Sequence, residues 1–237
     1  MNNLALIPAR GGSKAVVKKN IRLLNGIPLI AYTIKTALKN PRIKKVIVST
    51  EDKEIAAIAK AHGADVPFLR PVDLAQDTTP DKPVIQHTLD WLKTNQHFEP
   101  DLLIYLRPTS PFKTNQIIDE CLDKLEANKQ FTSLRTVNLA EGTDHPYWMF
   151  RSENNTLKPF IEHVDISKYY QRQLLPECYK LNGVIDIVRP EGVTKNENMY
   201  GDNIGFVEIN LLNAVDIDNE MDFTFAEFLM KEKRNLL

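Results

Sequence analysis

The first half of the chain alternates short β-type apolar runs with stretches of helical period, and this alternation limits the fold more than any other feature. Leu4 to Ile7 reads as a buried strand, as do Lys45 to Ser49 (KVIVS) and Leu102 to Leu106 (LLIYL). Between them Leu29, Ile30, Thr33, Ile34, Ala37 and Leu38 share one helical face, with Pro28 in the first turn. A second helix is expected from about Glu51 to His62, stopped by Gly63. Val84, Ile85, Thr88, Leu89 and Leu92 mark a third. Ile117, Ile118, Cys121, Leu122 and Leu125 mark a fourth, opened by Thr114 as N-cap. Repeats of this kind make right-handed crossovers and a mostly parallel, Rossmann-like α/β sheet. Its ligand crevice lies beyond the carboxyl ends of the strands.

The second half is less regular. Residues 131 to 200 read as a smaller antiparallel excursion, with short β-type pieces such as Thr132 to Val137 among Pro- and Asn-bearing turns. Gly183 to Val188 and Ile204 to Ile209 read as strands, and Met221, Phe225, Phe228 and Leu229 as the apolar face of a closing helix. His145 to Phe150 (HPYWMF) is too aromatic for an exposed loop and should pack on something. No repeat or Gly/Ser linker divides the chain, so a single domain over residues 1–237 is expected.

Composition narrows the function classes. With 43% apolar and 26% charged residues, disorder, collagen-like and coiled-coil architectures are excluded. No run of 18 apolar residues predicts a spanning helix, and the short apolar start does not read as a secretory signal. Two cysteines, Cys121 and Cys178, cannot make a disulfide framework and point to a reducing cytoplasm. The net charge of -1 weighs against a nucleic-acid partner but leaves room for a local basic pocket.

Such a pocket is written after the first strand. Arg10-Gly11-Gly12-Ser13-Lys14, then Lys18-Lys19-Asn20, puts two glycines and four cations at the expected ligand edge. Glycines permit tight turns and leave backbone N–H groups open to an anion, so the loop suits a polyphosphate. It is neither a Walker A loop nor the G-x-G-x-x-G dinucleotide turn. A solvated basic turn is the plainer reading. Near the end, Asp216 and Asp218 flank Ile217 in a strand-like VDID that would aim both carboxylates to one side. Two such oxygens fit Mg²⁺ or Mn²⁺, whereas Asp218 before EMDF could instead cap a helix. The five histidines have no metal-ligand spacing.

Taken in order, these segments resemble the acylneuraminate cytidylyltransferases, or CMP-sialic acid synthetases. The resemblance rests on IPARGGSK with KN and the PLIAYTI helix, LRP at 69–71, LAQDT at 74–78, RPTSP at 107–111, RQLLP at 172–176 with Asn182-Gly183, and DIDNEMDF at 216–223. It implies transfer of CMP from CTP to the anomeric hydroxyl of an α-keto acid sugar, with release of pyrophosphate. In that reading Arg10, Lys14 and Lys19 act on the triphosphate with Gly11, Gly12 and Ser13, while Asn20 and Arg70 read the cytosine. Arg107, Thr109, Ser110, Arg172 and Gln173 fall to the sugar, and Asp216 and Asp218 to the metal. A homodimer is also implied, with the 131–200 excursion lining the partner's sugar pocket.

The chain departs from the family pattern at several positions. Arg107 replaces a Gln of QPTSPLR, Trp148 stands where several members have Lys, and Ala15 and Val17 replace a Gly and a Pro. These changes leave neuraminate-, legionaminate-, pseudaminate- and Kdo-like acids open. Arg107 is expected either to meet the sugar carboxylate or to form an internal ion pair. The competing classes are a sugar-1-phosphate nucleotidyltransferase using another NTP and a non-catalytic paralogue.

Overall fold

The computed structural model describes residues 1–195 and 197–235. Along the chain, β1 (Asn3–Pro8) leads through the basic loop to a two-residue hairpin, β2 (Leu23–Leu24) with β3 (Ile27–Pro28). Then follow α1 (Leu29–Lys39), β4 (Ile43–Ser49), α2 (Lys53–Ala61), α3 (Asp81–Gln96), β5 (Leu103–Tyr105) and α4 (Asn115–Ala127). The remainder is β6 (Ser133–Leu139), the hairpin β7 (Phe150–Glu153) and β8 (Thr156–Pro159), β9 (Tyr179–Val188), α5 (Pro190–Lys195), β10 (Ile204–Glu208) and α6 (Glu220–Asn235).

Six strands form the main sheet in the order β10-β6-β9-β5-β1-β4. All pairings are parallel except those of β9, which runs antiparallel between β5 and β6. The direction of β9 follows from its connection. The chain leaves β6 at Leu139, and residues 140–178 return it to the same edge, where Tyr179 pairs with Leu139. No helical crossover intervenes, so the strand must run backwards. This redraws the expected excursion, because 133–139 and 179–188 belong to the main sheet and only 140–178 leave it.

Both faces of the sheet are covered. Along β1, Ala5 and Ile7 join the core under α1, α2 and α4, whereas Leu4 and Leu6 join the one under α3. This is the two-sided burial of a parallel sheet and explains why β1 reads as a continuous apolar run. Helix starts obey their caps. Thr114 Oγ1 accepts from Ile117 N at 3.3 Å as expected. Asp52 accepts from Glu54 N and Ile55 N at 2.7 and 3.0 Å, which starts α2 at Lys53 rather than Glu51.

The closing helix differs from expectation. Phe223 and Ala226 are buried and Leu229 packs beside them, but Met221, Phe225 and Phe228 are exposed. Apolar residues sit on both sides of α6, so helical period alone does not choose a face. Packing against Val16, Leu24, Leu29, Phe112 and Ile217 chooses it. Leu38, assigned to the inner face of α1, is half-exposed at its edge. Among the described residues no helix is long and apolar enough to cross a membrane.

Candidate active site

A cleft of about 460 Å³ opens at the carboxyl ends of β1 and β5, where the strand order predicts it. Arg10, Ser13, Lys14, Lys19, Asn20, Arg70, Arg107, Thr109 and Asp218 all line it. Residues separated by 208 positions are thus gathered at one sheet edge.

The loop after β1 makes one wall. Gly11 has an ordinary φ, and its glycine is required by close approach. A Cβ there would lie 2.6 Å from Asp52 Oδ2, whereas at Gly12 it would meet nothing. The expected tight turn is present around Gly12, closed by Ser13 N donating to Gly11 O at 2.9 Å. Gly11 N donates to Glu51 Oε1 at 2.7 Å, and Arg10 and Lys14 both ion-pair with Asp77. Lys14 and Arg10 hold the Asp77 carboxyl below its usual range. Two carboxylates therefore sit on the groups expected to receive an anion. Lys18 instead pairs with Glu54 on the surface, a contact of little energetic weight.

Deeper in the cleft, Asn20 is buried and its Nδ2 donates to Arg10 O at 2.9 Å, fixing the loop. Its Oδ1 has no partner in the protein. Arg70 is also buried and donates to Ser49 O at 2.6 Å and Leu74 O at 3.3 Å, while its Nε is unpartnered. Burial lowers the Arg70 pKa, against the pull of Glu51. A buried acceptor and a buried donor without partners normally mark a place for a ligand or water.

On the other side lies the loop after β5. The Arg107 guanidinium donates to Asp81 Oδ2 at 2.6 Å, Asp186 Oδ2 at 2.7 Å and Gly183 O at 3.1 Å. Of the two expectations for Arg107, the internal ion pair is the one the structure contains. Burial disfavours its charge, but Asp186 and Asp81 outweigh that and raise its pKa. Gly183, at φ 65°, would place a Cβ 3.3 Å from Arg107 Nη1, so this glycine serves both the backbone and the pair. Asp186 is fully buried and also accepts from Arg135 Nε at 2.8 Å and Tyr200 OH at 3.2 Å. Asp81 also accepts from Tyr105 OH at 2.8 Å. Asp77, Asp81 and Asp186 were missed in the sequence. The signal for Asp186 was a lone charge inside GVIDIV, because a charge in an apolar strand needs partners.

The acidic segment closes the cleft. Residues 215–218 form neither strand nor helix, contrary to the strand-like VDID expected, and Ile217 N donates to Thr109 O at 2.9 Å. With Ile217 buried, Asp216 lies beside Ser110 (Oγ to Oδ1 3.5 Å) and Asp218 beside Lys19 (Nζ to Oδ1 3.1 Å). Lys19 Nζ also donates to Ile217 O at 2.7 Å. Asp218 is not the helix cap. Asn219 Oδ1 accepts from Met221 N and Asp222 N, and Asp222 accepts from Asp218 N. Among the described residues no group of three or more His, Cys, Asp or Glu is arranged around a metal position. The donor set is two hard carboxylates, which suits an ion that completes its shell with phosphate oxygens and water.

Arg172 and Gln173 lie elsewhere. Arg172 pairs with Glu141 beside a separate cavity lined by Leu139, Ala140, Leu175 and Pro176, outside the cleft of its own chain. The aromatic HPYWMF segment packs on its own subunit. His145 is buried with Nε2 2.9 Å from Pro176 O, Tyr147 meets Tyr169 edge-on, and Trp148 Nε1 donates to Tyr169 O at 2.6 Å. Met149 and Phe150 remain exposed.

Comparison with known proteins places this geometry. The chain is 35% identical over 243 residues to CMP-N,N'-diacetyllegionaminic acid synthase of Legionella pneumophila, covering 100% of both chains. It is 33% identical to post-translational flagellin modification protein B of Campylobacter coli, across 97% of this chain and 95% of that protein. In fold it matches a CMP:2-keto-3-deoxy-manno-octonic acid synthetase complexed with CTP at TM-score 0.72, with 16% identity, covering 98% of this chain and 100% of that one. The family described as cytidylyltransferase matches residues 4–227, and the chain belongs to it.

Proposed function

We propose that this protein transfers CMP from CTP to the anomeric hydroxyl of a sialic-acid-like, nonulosonic α-keto acid sugar and releases pyrophosphate. The observation that carries this reading is one cleft with a cationic loop on one wall and Asp218 on the other, with Asp216 behind that wall beside Ser110. Arg10 and Lys14 receive the triphosphate in place of Asp77, and the Gly11 N–H adds a donor once Glu51 withdraws. Asn20 Oδ1 accepts from the cytosine amino group, and Arg70 donates to the ring's acceptors, which uses the atoms left unpartnered. The sugar hydroxyl attacks the α-phosphorus in line and gives its proton to solvent, and the α–β phosphoanhydride bond breaks to release pyrophosphate. The chain contributes positioning and charge neutralisation rather than a covalent nucleophile.

Asp216 and Asp218 are the residues that would hold Mg²⁺ or Mn²⁺. The bound ion would neutralise phosphate charge as a Lewis acid. Lys19, tied to Asp218 and Ile217 O, keeps the acidic segment against the phosphate loop. Thr109 faces the sugar from the loop after β5, with buried Ser110 behind it against Asp216. The fork of Arg107 is already engaged by two carboxylates, so the sugar carboxylate needs another cation. Arg172, with Gln173 beside it, meets that need if a partner subunit presents it, which makes the working unit a homodimer. The deciding assay is pyrophosphate release with each of the four NTPs against a panel of nonulosonic, Kdo-like and sugar-1-phosphate acceptors. Turnover with CTP and a nonulosonic acid is expected. Turnover with another NTP and a sugar 1-phosphate would overturn the reading.

A further inference from the structure

Lys113 is a lysine inside the protein, 3% exposed, on the far side of the loop after β5 from the cleft. Its Nζ donates to Arg107 O at 2.7 Å, to Ser110 O, and to Thr33 Oγ1 of α1 at 3.1 Å. In the ammonium form three N–H donors meet these three acceptors, so each donor is hydrogen-bonded. Burial pushes the Lys113 pKa down to about 7 and Arg107 adds to that, against the attraction of Asp216. Two of the acceptors are the ends of the turn that presents Pro108 and Thr109 to the cleft, closed by Ser110 N to Arg107 O at 3.4 Å. Thr109 O in turn holds Ile217 N, and Phe112 O accepts from Asn213 Nδ2 at 2.8 Å. The acidic segment thus has no strand ladder of its own and is registered by the loop that Lys113 grips.

We propose that Lys113 is a positioning residue that sets the loop after β5, holding residues 107–110 and, through Thr109, the acidic segment that carries Asp216 and Asp218. The phosphate loop at 10–20 is anchored by Asn20 and Glu51 and meets the acidic segment only at its far end, through Lys19. The inference rests on the proposed reaction for its kinetic consequence but not for its structural one. Amide hydrogen exchange tests the structural part without substrate. In Lys113→Met, protection in 107–112 and 213–218 should fall about tenfold or more, with α2 (Lys53–Ala61) unchanged. Lys113→Arg, which keeps charge and donors, should restore it.

Kinetically, Lys113→Met should lower kcat/KM for the sugar acid about ten- to a hundred-fold while CTP binding without sugar or divalent ion stays within about threefold. Arg at the position should recover most of the loss. Should the Met variant fold poorly, Thr33→Val removes one acceptor from α1 and should give a smaller change on the same side of the cleft. Unchanged exchange in both segments, or equal losses in sugar turnover and CTP binding, would overturn the assignment. A wild-type enzyme that binds CTP yet uses no nonulosonic acid would instead overturn the proposed function and leave the exchange result standing.

Discussion

Arg107→Gln separates two roles open to this side chain in the cleft. In the structure the guanidinium is shared by Asp81 and Asp186, and glutamine can neutralise neither. Asp186 would keep Arg135, so the loss is partial, about 2–4 kcal/mol, read as a lowered urea midpoint. Pairing it with Asp81→Asn should recover part of that loss, because the like charges are then relieved. Wild-type stability with a raised sugar KM would return Arg107 to the sugar. At Asp77, substitution by Asn removes the carboxylate that competes for Arg10 and Lys14. The KM for CTP should then fall about two- to fivefold, and an unchanged value would mean that the pair does not resist nucleotide entry. Asp218→Asn is now a clean test of charge, since Asn219 caps α6. Folding should be unaffected while the Mg²⁺ needed for half-maximal rate rises at least about tenfold. The cationic loop and the acidic pair were legible as residues in the sequence. The carboxylates that face the cations were not, because Asp77, Asp81 and Asp186 reach them across 67, 26 and 79 positions, and no local pattern records such distances.

At the scale of elements, the sequence reading succeeds where burial is two-sided and fails where a neighbour must choose a face. The strands β1, β4 and β5 and the helices α3 and α4 carry runs or single stripes, and their buried residues are those expected. The helix α6 carries apolar residues around much of its circumference, and only the cluster around Ile217 and Leu29 decides which are covered. Phe223→Ala should therefore cost about 3–5 kcal/mol, whereas Phe225→Ala, on the exposed side, should cost under about 1 kcal/mol. Comparable losses at both sites by denaturant melts would mean that the exposed side is also covered. The direction of β9 was equally invisible. Its residues read as a buried strand whichever way the strand runs, and only the return of 140–178 to the same edge fixes it.

At the scale of the molecule, the question is whether one chain makes a complete site. Within a single chain Arg172 is held by Glu141 at a separate cavity, and the same excursion exposes Leu157, Phe160, Tyr170 and Leu174. Apolar side chains crowded on a segment that leaves the sheet favour burial against a second copy. If the excursion of one subunit completes the cleft of the other, two dead variants should rescue each other. Arg10→Ala spoils the cleft of its own chain but still presents Arg172. Arg172→Ala keeps its cleft and fails only as a donor. Each alone should be nearly inactive. Refolded together in equal amounts, about half the dimers are mixed, and each mixed dimer holds one intact site of two, so activity should recover to about a quarter of wild type. If Arg172 acts within its own chain, no site in any mixture contains both residues and nothing recovers. Sedimentation of the wild type as a monomer at micromolar concentration would exclude the crossing arrangement, and recovery near a quarter would require it.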